Sequence, residues 1–159
     1  MPVGDSFPPE KRKAYVDRNL KPWTIIRLYC AFITDPHDKF LVVVSAVPYL
    51  VYFFINSRPY RLAESKPGWK DTQVRIDTKN HPFLDYDSFI DCSRVQSLPI
   101  HEVEKQLVAD ISRIHGVVSD AVQAKVIRAV KENVTISRGK KKAILESLSR
   151  KMSSQGGKG

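Results

Sequence analysis

Between Ser57 and Thr72 the chain interleaves four cations, Arg58, Arg61, Lys66 and Lys70, with two aromatic rings, Tyr60 and Trp69. Rings of this kind stack on unpaired bases while guanidinium and ammonium groups hold the intervening phosphates, the means by which single-stranded RNA is gripped. A second concentration of cations, Arg138, Lys140, Lys141 and Lys142, lies near the C-terminus. From 138 to 159 seven basic residues face Glu146 alone, leaving +6 of the whole chain's +9. Both stretches are expected to bind RNA, and the opposing reading makes each a solvated surface. The C-terminal stretch is expected to be an electrostatic handle that adds little to the core. Its alternative is docking through Ile144, Leu145, Leu148 and Met152, which recur on one helical face.

Other chemistries lack their residues. Asp85 and Asp87 are neighbours, but no further carboxylate or histidine stands at ligand spacing and His81 precedes a proline, so turn roles suffice and no metal is expected. Cys30 and Cys92 fall in no Cys-x-x-Cys or Cys/His pattern, which points away from zinc and disulfides and toward a reduced, cytoplasmic setting. There is no phosphate-binding Gly-rich loop, dinucleotide fingerprint or Gly-x-Ser-x-Gly elbow, and no cofactor is expected. The opening MPVGDSFPPEKRK carries prolines and charges where a secretory signal needs an apolar stretch.

The elements that must position these groups follow from the apolar pattern. Hydrophobic residues form 42% and charged residues 27%, a globular balance, and 159 residues fit one domain with appendages. Residues 1–22, punctuated by Pro2, Pro8, Pro9 and Pro22, predict an N-terminal arm with a helical turn or two from Pro9 to Asn19. Trp23 to Thr34 is rich in β-branched and aromatic residues and predicts a strand, and DPHDK at 35–39 is turn chemistry. The run FLVVVSAVPYLVYFFI at 40–55 falls short of the ~18 residues of a membrane helix and is broken by Pro48. It predicts two buried strands, Phe40 to Ala46 and Tyr49 to Ile55, and no membrane association.

A surface loop over 57–72, a short strand from Gln73 to Ile76, a turn-rich link and a strand from Ser88 to Val95 follow. After Ser97 the apolar period lengthens. Ile100, Val103, Leu107, Ile111 and Ile114 predict a helix capped by Ser97, and Val122, Val126 and Val130 predict another capped by Ser119 beyond Gly116. A basic third helix is expected over 135–152 and a disordered tail over 153–159.

Three stretches resemble the PemK/MazF toxin family. HDKFLVVVS at 37–45 stands where the family has an Arg-containing turn opening a Val-rich strand, with Lys39 in place of Arg. YFFINS at 52–57 matches an apolar strand ending in Thr or Ser, and DSFIDCSRVQSL at 87–98 an acidic residue and Ser opening a late strand. The helix VSDAVQAKVIRAVKEN is similar to the family's closing helix. Over residues 23–134 the resemblance implies an α+β fold, a small SH3-like (PemK/MazF/CcdB-type) β-barrel of about five strands followed by C-terminal helices. It implies a toxin-like, metal-independent endoribonuclease that cleaves single-stranded RNA in a toxin–antitoxin-type system, with an antitoxin protein as partner and a homodimeric state.

Family members activate the ribose 2′-hydroxyl against the adjacent phosphate. That chemistry needs a cation beside the phosphate, a hydroxyl or amide in hydrogen-bond reach, and a route for the proton. On the matching stretches Lys39, Asn56 and Ser57 fill the first two roles, and His37 can relay the proton near neutral pH. Each has a plainer reading: His37 as an exposed turn residue, Lys39 as a strand-edge charge, and Asn56 with Ser57 as the start of the turn before Pro59. Lysine in place of arginine and the missing Gly-rich loop favour the alternative function, a non-catalytic SH3-like barrel that binds nucleic acid or a partner protein. An antitoxin-like or phage accessory scaffold is a third reading.

Overall fold

The apolar run at 40–55 folds as two strands, as its length and Pro48 dictate. A computed structural model describes residues 8–61, 65–66 and 69–156, with the side chains of 70 and 150–156 outside the described set. In it β2 (His37–Ser45) and β3 (Tyr49–Asn56) form an antiparallel hairpin that pairs Phe40 with Ile55 and Val42 with Phe53. β1 (Thr24–Cys30) lies along the other edge of β2. The free edge of β3 meets two strands in succession: β6 (Gln96–Pro99) over Tyr49 to Tyr52, and β5 (Ser88–Asp91) at Ile55 and Asn56. β4 (Gln73–Ile76) extends the sheet beyond β5, and β7 (Ile114–Val117) extends it beyond β1. The protein is thus α+β, with a curled antiparallel half-barrel in the order β4-β5-β3-β2-β1-β7.

Helices cover both faces, so the central strands are unbroken apolar runs rather than alternating ones. On one face α1 (Pro9–Asn19) and α2 (Ile100–Ala109) bury Val16, Val103 and Leu107 against Ile26, Leu28, Leu41, Val43, Tyr52 and Phe54. On the other, α3 (Asp120–Glu132) and α4 (Arg138–Gly156) bury Val122, Val126, Val130, Ile144 and Leu148 against Trp23, Ile25, Val42, Val44, Phe53 and Ile90. Trp23 fastens this second core. Its φ of 76° lies in the left-handed region, a strain on the order of 1–3 kcal/mol for a bulky residue. Three hydrogen bonds hold it there: its N–H to Val43 O at 2.8 Å, Val118 N–H to its carbonyl at 3.0 Å, and its indole N–H to Leu148 O at 3.3 Å.

The C-terminal helix is a structural element, which corrects the expectation of a handle detached from the core. Ile144 and Leu148 are buried, and Ser147 Oγ donates to Val44 O at 2.7 Å. The apolar stripe decides the packing, while Arg138, Lys140 and Lys142 stay exposed. The helix runs to Gly156, and residues 157–159 of the expected tail, like 1–7 of the arm, lie outside the described residues.

Other boundaries also moved. Ser97 caps nothing; it lies in β6 opposite Val51, and Pro99 precedes α2. α2 stops at Ala109 because Asp110 turns to φ −150°, ψ 94° and its carboxylate accepts from Ser112 N–H at 3.1 Å. Ile111 therefore starts a short 3-10 turn and Ile114 belongs to β7. The strand from Ser88 ends at Asp91, whose side chain folds back to accept from Ser93 N–H at 3.1 Å. Ser119 does precede α3, but its hydroxyl makes no cap bond; its N–H donates to Nε2 of buried His81 at 3.0 Å. No helix among the described residues is long and apolar enough to cross a membrane.

Candidate functional site

The hairpin register places the start of β2 beside the end of β3, and this brings Lys39 to Asn56. Lys39 Nζ donates to Asn56 Oδ1 at 2.5 Å and lies 4.7 Å from the centre of the Phe54 ring. Desolvation lowers the Lys39 ammonium below its ordinary 10.5; Arg94 adds to the fall, and Cys30 and Asp91 oppose it. His37 opens β2 with its Nδ1 2.5 Å from Asp35 O. A carbonyl only accepts, so Nδ1 is the donor in this contact, and in that tautomer of the neutral ring Nε2 is an acceptor. Ser57 follows β3 directly.

All four residues line one cleft of about 420 Å³, together with Arg27, Asp38, Phe40, Arg58 and Tyr86. The sequence reading thus brought together residues that are far apart in the chain. Phe40 and Ile55, which line the cleft, pack with the α3/α4 core, whereas Phe54, against which the Lys39 ammonium rests, belongs to the α1/α2 core. Asp38 is held by two guanidinium groups, Arg27 at 3.5 Å and Arg113 at 3.2 Å. Arg58 is exposed, and among the described residues it makes no hydrogen bond or ion pair. Three cations, Arg27, Lys39 and Arg58, thus face two carboxylates, Asp38 and Asp85, in a cleft that also holds an imidazole, a hydroxyl and an amide.

The expected RNA-binding residues divide. Arg58 lines this cleft, while Trp69 and Lys140 meet at a second, larger one with Arg94. Lys66 Nζ sits 4.6 Å from the Trp69 ring centre, and Tyr60 lies under the Arg94 guanidinium at 3.9 Å. Arg138, Lys141 and Lys142 line a shallow groove along α4 with Leu145 and Glu146. Arg61 is exposed and lines neither cleft, and the side chain of Lys70 lies outside the described residues.

Asp87 has the turn role read for it: its carboxylate accepts from Thr78 N–H at 2.9 Å and pairs with Arg75. Among the described residues no three His, Cys, Asp or Glu side chains gather as metal ligands would. Cys30 and Cys92 are buried and unpaired, and burial pushes the Cys30 thiol up to about 11.

Two functional candidates escaped the sequence reading. Arg27 is the lone charge in the strand TIIRLYC, a signal that was legible. Arg94 stands just after the turn that follows β5, marked only by the preceding Asp-Cys-Ser turn chemistry. No protein-family model matches this sequence, and no curated protein sequence matches it significantly. Fold and site together define an α+β protein whose curled antiparallel sheet carries a cationic cleft at one strand end.

Proposed function

We propose that the chain is a toxin-like, metal-independent endoribonuclease on a PemK/MazF-type, SH3-like barrel, cutting single-stranded RNA in the cleft between the ends of β2 and β3. The observation that carries this reading is the meeting of His37, Lys39, Asn56 and Ser57 at one cleft that also holds Arg27 and Arg58. Arg58 takes the scissile phosphate, and Asn56 and Ser57 orient it. His37 Nε2 accepts the proton of the 2′-hydroxyl, the 2′-oxygen attacks phosphorus, and the bond to the 5′-oxygen breaks. Lys39, a readier proton donor than an exposed lysine, protonates the leaving oxygen. A cytoplasmic setting, a homodimer and an acidic antitoxin that covers the cationic cleft belong to the same reading.

The test is cleavage of end-labelled single-stranded RNA in EDTA by the wild-type chain and two variants. His37→Gln should slow cleavage by roughly 100-fold or more with binding retained. Arg58→Ala should weaken binding as well. Variants that cut as fast as the wild type would overturn the assignment.

One observation favours a second reading, a non-catalytic barrel that binds RNA or a partner protein. The Lys39 ammonium already donates to Asn56 and rests on Phe54, which leaves it less free for a phosphate. In that case the wild type binds labelled RNA and leaves it intact.

A further inference from the structure

The second cleft, of about 680 Å³, lies between the β5–β6 connection and the start of α4. We propose that it is a stacking subsite for one nucleotide of single-stranded RNA, with the base on Trp69 and the adjoining phosphate between Arg94 and Lys140. The proposal rests on the RNA reading of the first cleft and extends it to a flanking nucleotide.

The walls are fixed to one another. Asn133 Nδ2 donates to Cys92 O at 2.7 Å, and Thr135 Oγ1 donates to Ser93 O at 2.9 Å. The Asn133 amide oxygen in turn accepts from Thr135 N–H at 2.6 Å. The segment leading into α4 is therefore clamped to the loop that carries Arg94, and the cleft is preformed.

Its chemistry suits a nucleotide. Of the two tryptophans, Trp23 is wholly buried, and Trp69 is half-buried with Lys66 over one face of its ring, so the base stacks on the other face. Arg94 is oriented from two sides, by the Asp91 carboxylate at 3.2 Å and by the Tyr60 ring. Asp91 is itself held by Gln73 Nε2 at 2.8 Å, so the guanidinium is placed before any ligand arrives. It stays 44% exposed, which leaves donors for a phosphate. Lys140 is exposed and its ammonium has no partner among the described residues. Gln96 and Ser137 add an amide and a hydroxyl to the lining, groups that can meet the polar atoms of a base.

The two clefts share no lining residue but lie near one another. Tyr60, under Arg94, is two residues from Arg58 of the first cleft, and Arg94 is near enough to depress the Lys39 ammonium. One strand of RNA can therefore touch both.

The experiment is a titration of the full chain with single-stranded oligouridine, followed by tryptophan fluorescence and by an independent measure of affinity. Oligouridine should quench the fluorescence of the wild type. Trp69→Ala should abolish that quenching and weaken affinity by about tenfold or more, the usual loss of one stacked base. Lys140→Ala, at an exposed site, should lower the slope of log affinity against log salt by about one. Thermal melts confirm that each variant is folded. If Trp69→Ala and Lys140→Ala both bind oligouridine as the wild type does, the subsite is wrong while RNA binding at the first cleft stands. If the wild type binds no oligouridine, the RNA reading itself falls and the subsite with it. Equal quenching by an oligoglutamate peptide would overturn the nucleotide assignment.

Discussion

Leu148→Ala tests whether the basic C-terminal helix is part of the core. The Leu148 side chain is completely buried among Trp23, Val44 and their neighbours, while Lys140 and Lys142 of α4 stay exposed. Truncation to alanine removes its apolar contacts and leaves a void that the helix closes only partly, at a cost of about 2–5 kcal/mol. Taking ~3 kcal/mol, and ~2–4 °C per kcal/mol for a chain of this length, the melting temperature should fall by roughly 6–12 °C. Urea unfolding followed by circular dichroism supplies the free energy, with the slope against urea unchanged. Lys142→Ala, at an exposed position, should stay within about 0.5 kcal/mol of the wild type. A Leu148→Ala loss no larger than that of Lys142→Ala would refute the docking and restore the detached handle.

His115 stacks on Phe83 with ring centres 5.2 Å apart, and burial lowers its pKa below the ordinary 6.5, helped by Arg27 and Arg113 and opposed by Asp110. The unfolded chain takes up this proton more readily than the folded one, so stability is present above 6.5 and is lost as pH falls below it. His115→Phe keeps the ring and should flatten that part of the stability profile; an unchanged profile would rule His115 out as its source. With its thiol raised to about 11 by burial, Cys30 should resist iodoacetamide in the native chain at mildly alkaline pH and react once urea is added, as mass spectrometry would show. Fast native labelling would contradict the burial. His81→Ala leaves the Ser119 N–H without its acceptor at the start of α3 and should cost about 2 kcal/mol or more. His81→Gln, whose amide oxygen can accept the same proton, should lose less, and equal melting of all three chains would remove His81 from the support of α3.

Much of the sheet was legible because β-branched and aromatic residues dominate it. The strands at 40–46 and 49–55 followed from run length and Pro48, and the helix bearing Val122, Val126 and Val130 from its period. β6 and β7 were hidden for a physical reason. Each spans four residues, and Ser97, Pro99 and Gly116 look like helix punctuation until the partner strands β3 and β1 are in place. The two-sided burial of the sheet was also out of reach, since an unbroken apolar strand does not say which helices cover it.

At the site, Lys39 and Asn56 were singled out through stretches that resemble a toxin family, and nothing in the sequence showed that the lysine donates to Asn56. Arg94 owes its orientation to Asp91, three residues before it, and to Tyr60, far away in the chain and brought near only by folding.

The proposed cleavage is tested most directly by incubating single-stranded RNA with the purified chain in EDTA and reading the chemistry of any ends released. Attack by the 2′-oxygen predicts 2′,3′-cyclic phosphate and 5′-hydroxyl ends from unmodified single-stranded RNA, and no product from the same RNA with 2′-O-methyl groups. RNA that stays intact, or 5′-phosphate ends that appear only when a divalent metal is added, would contradict it.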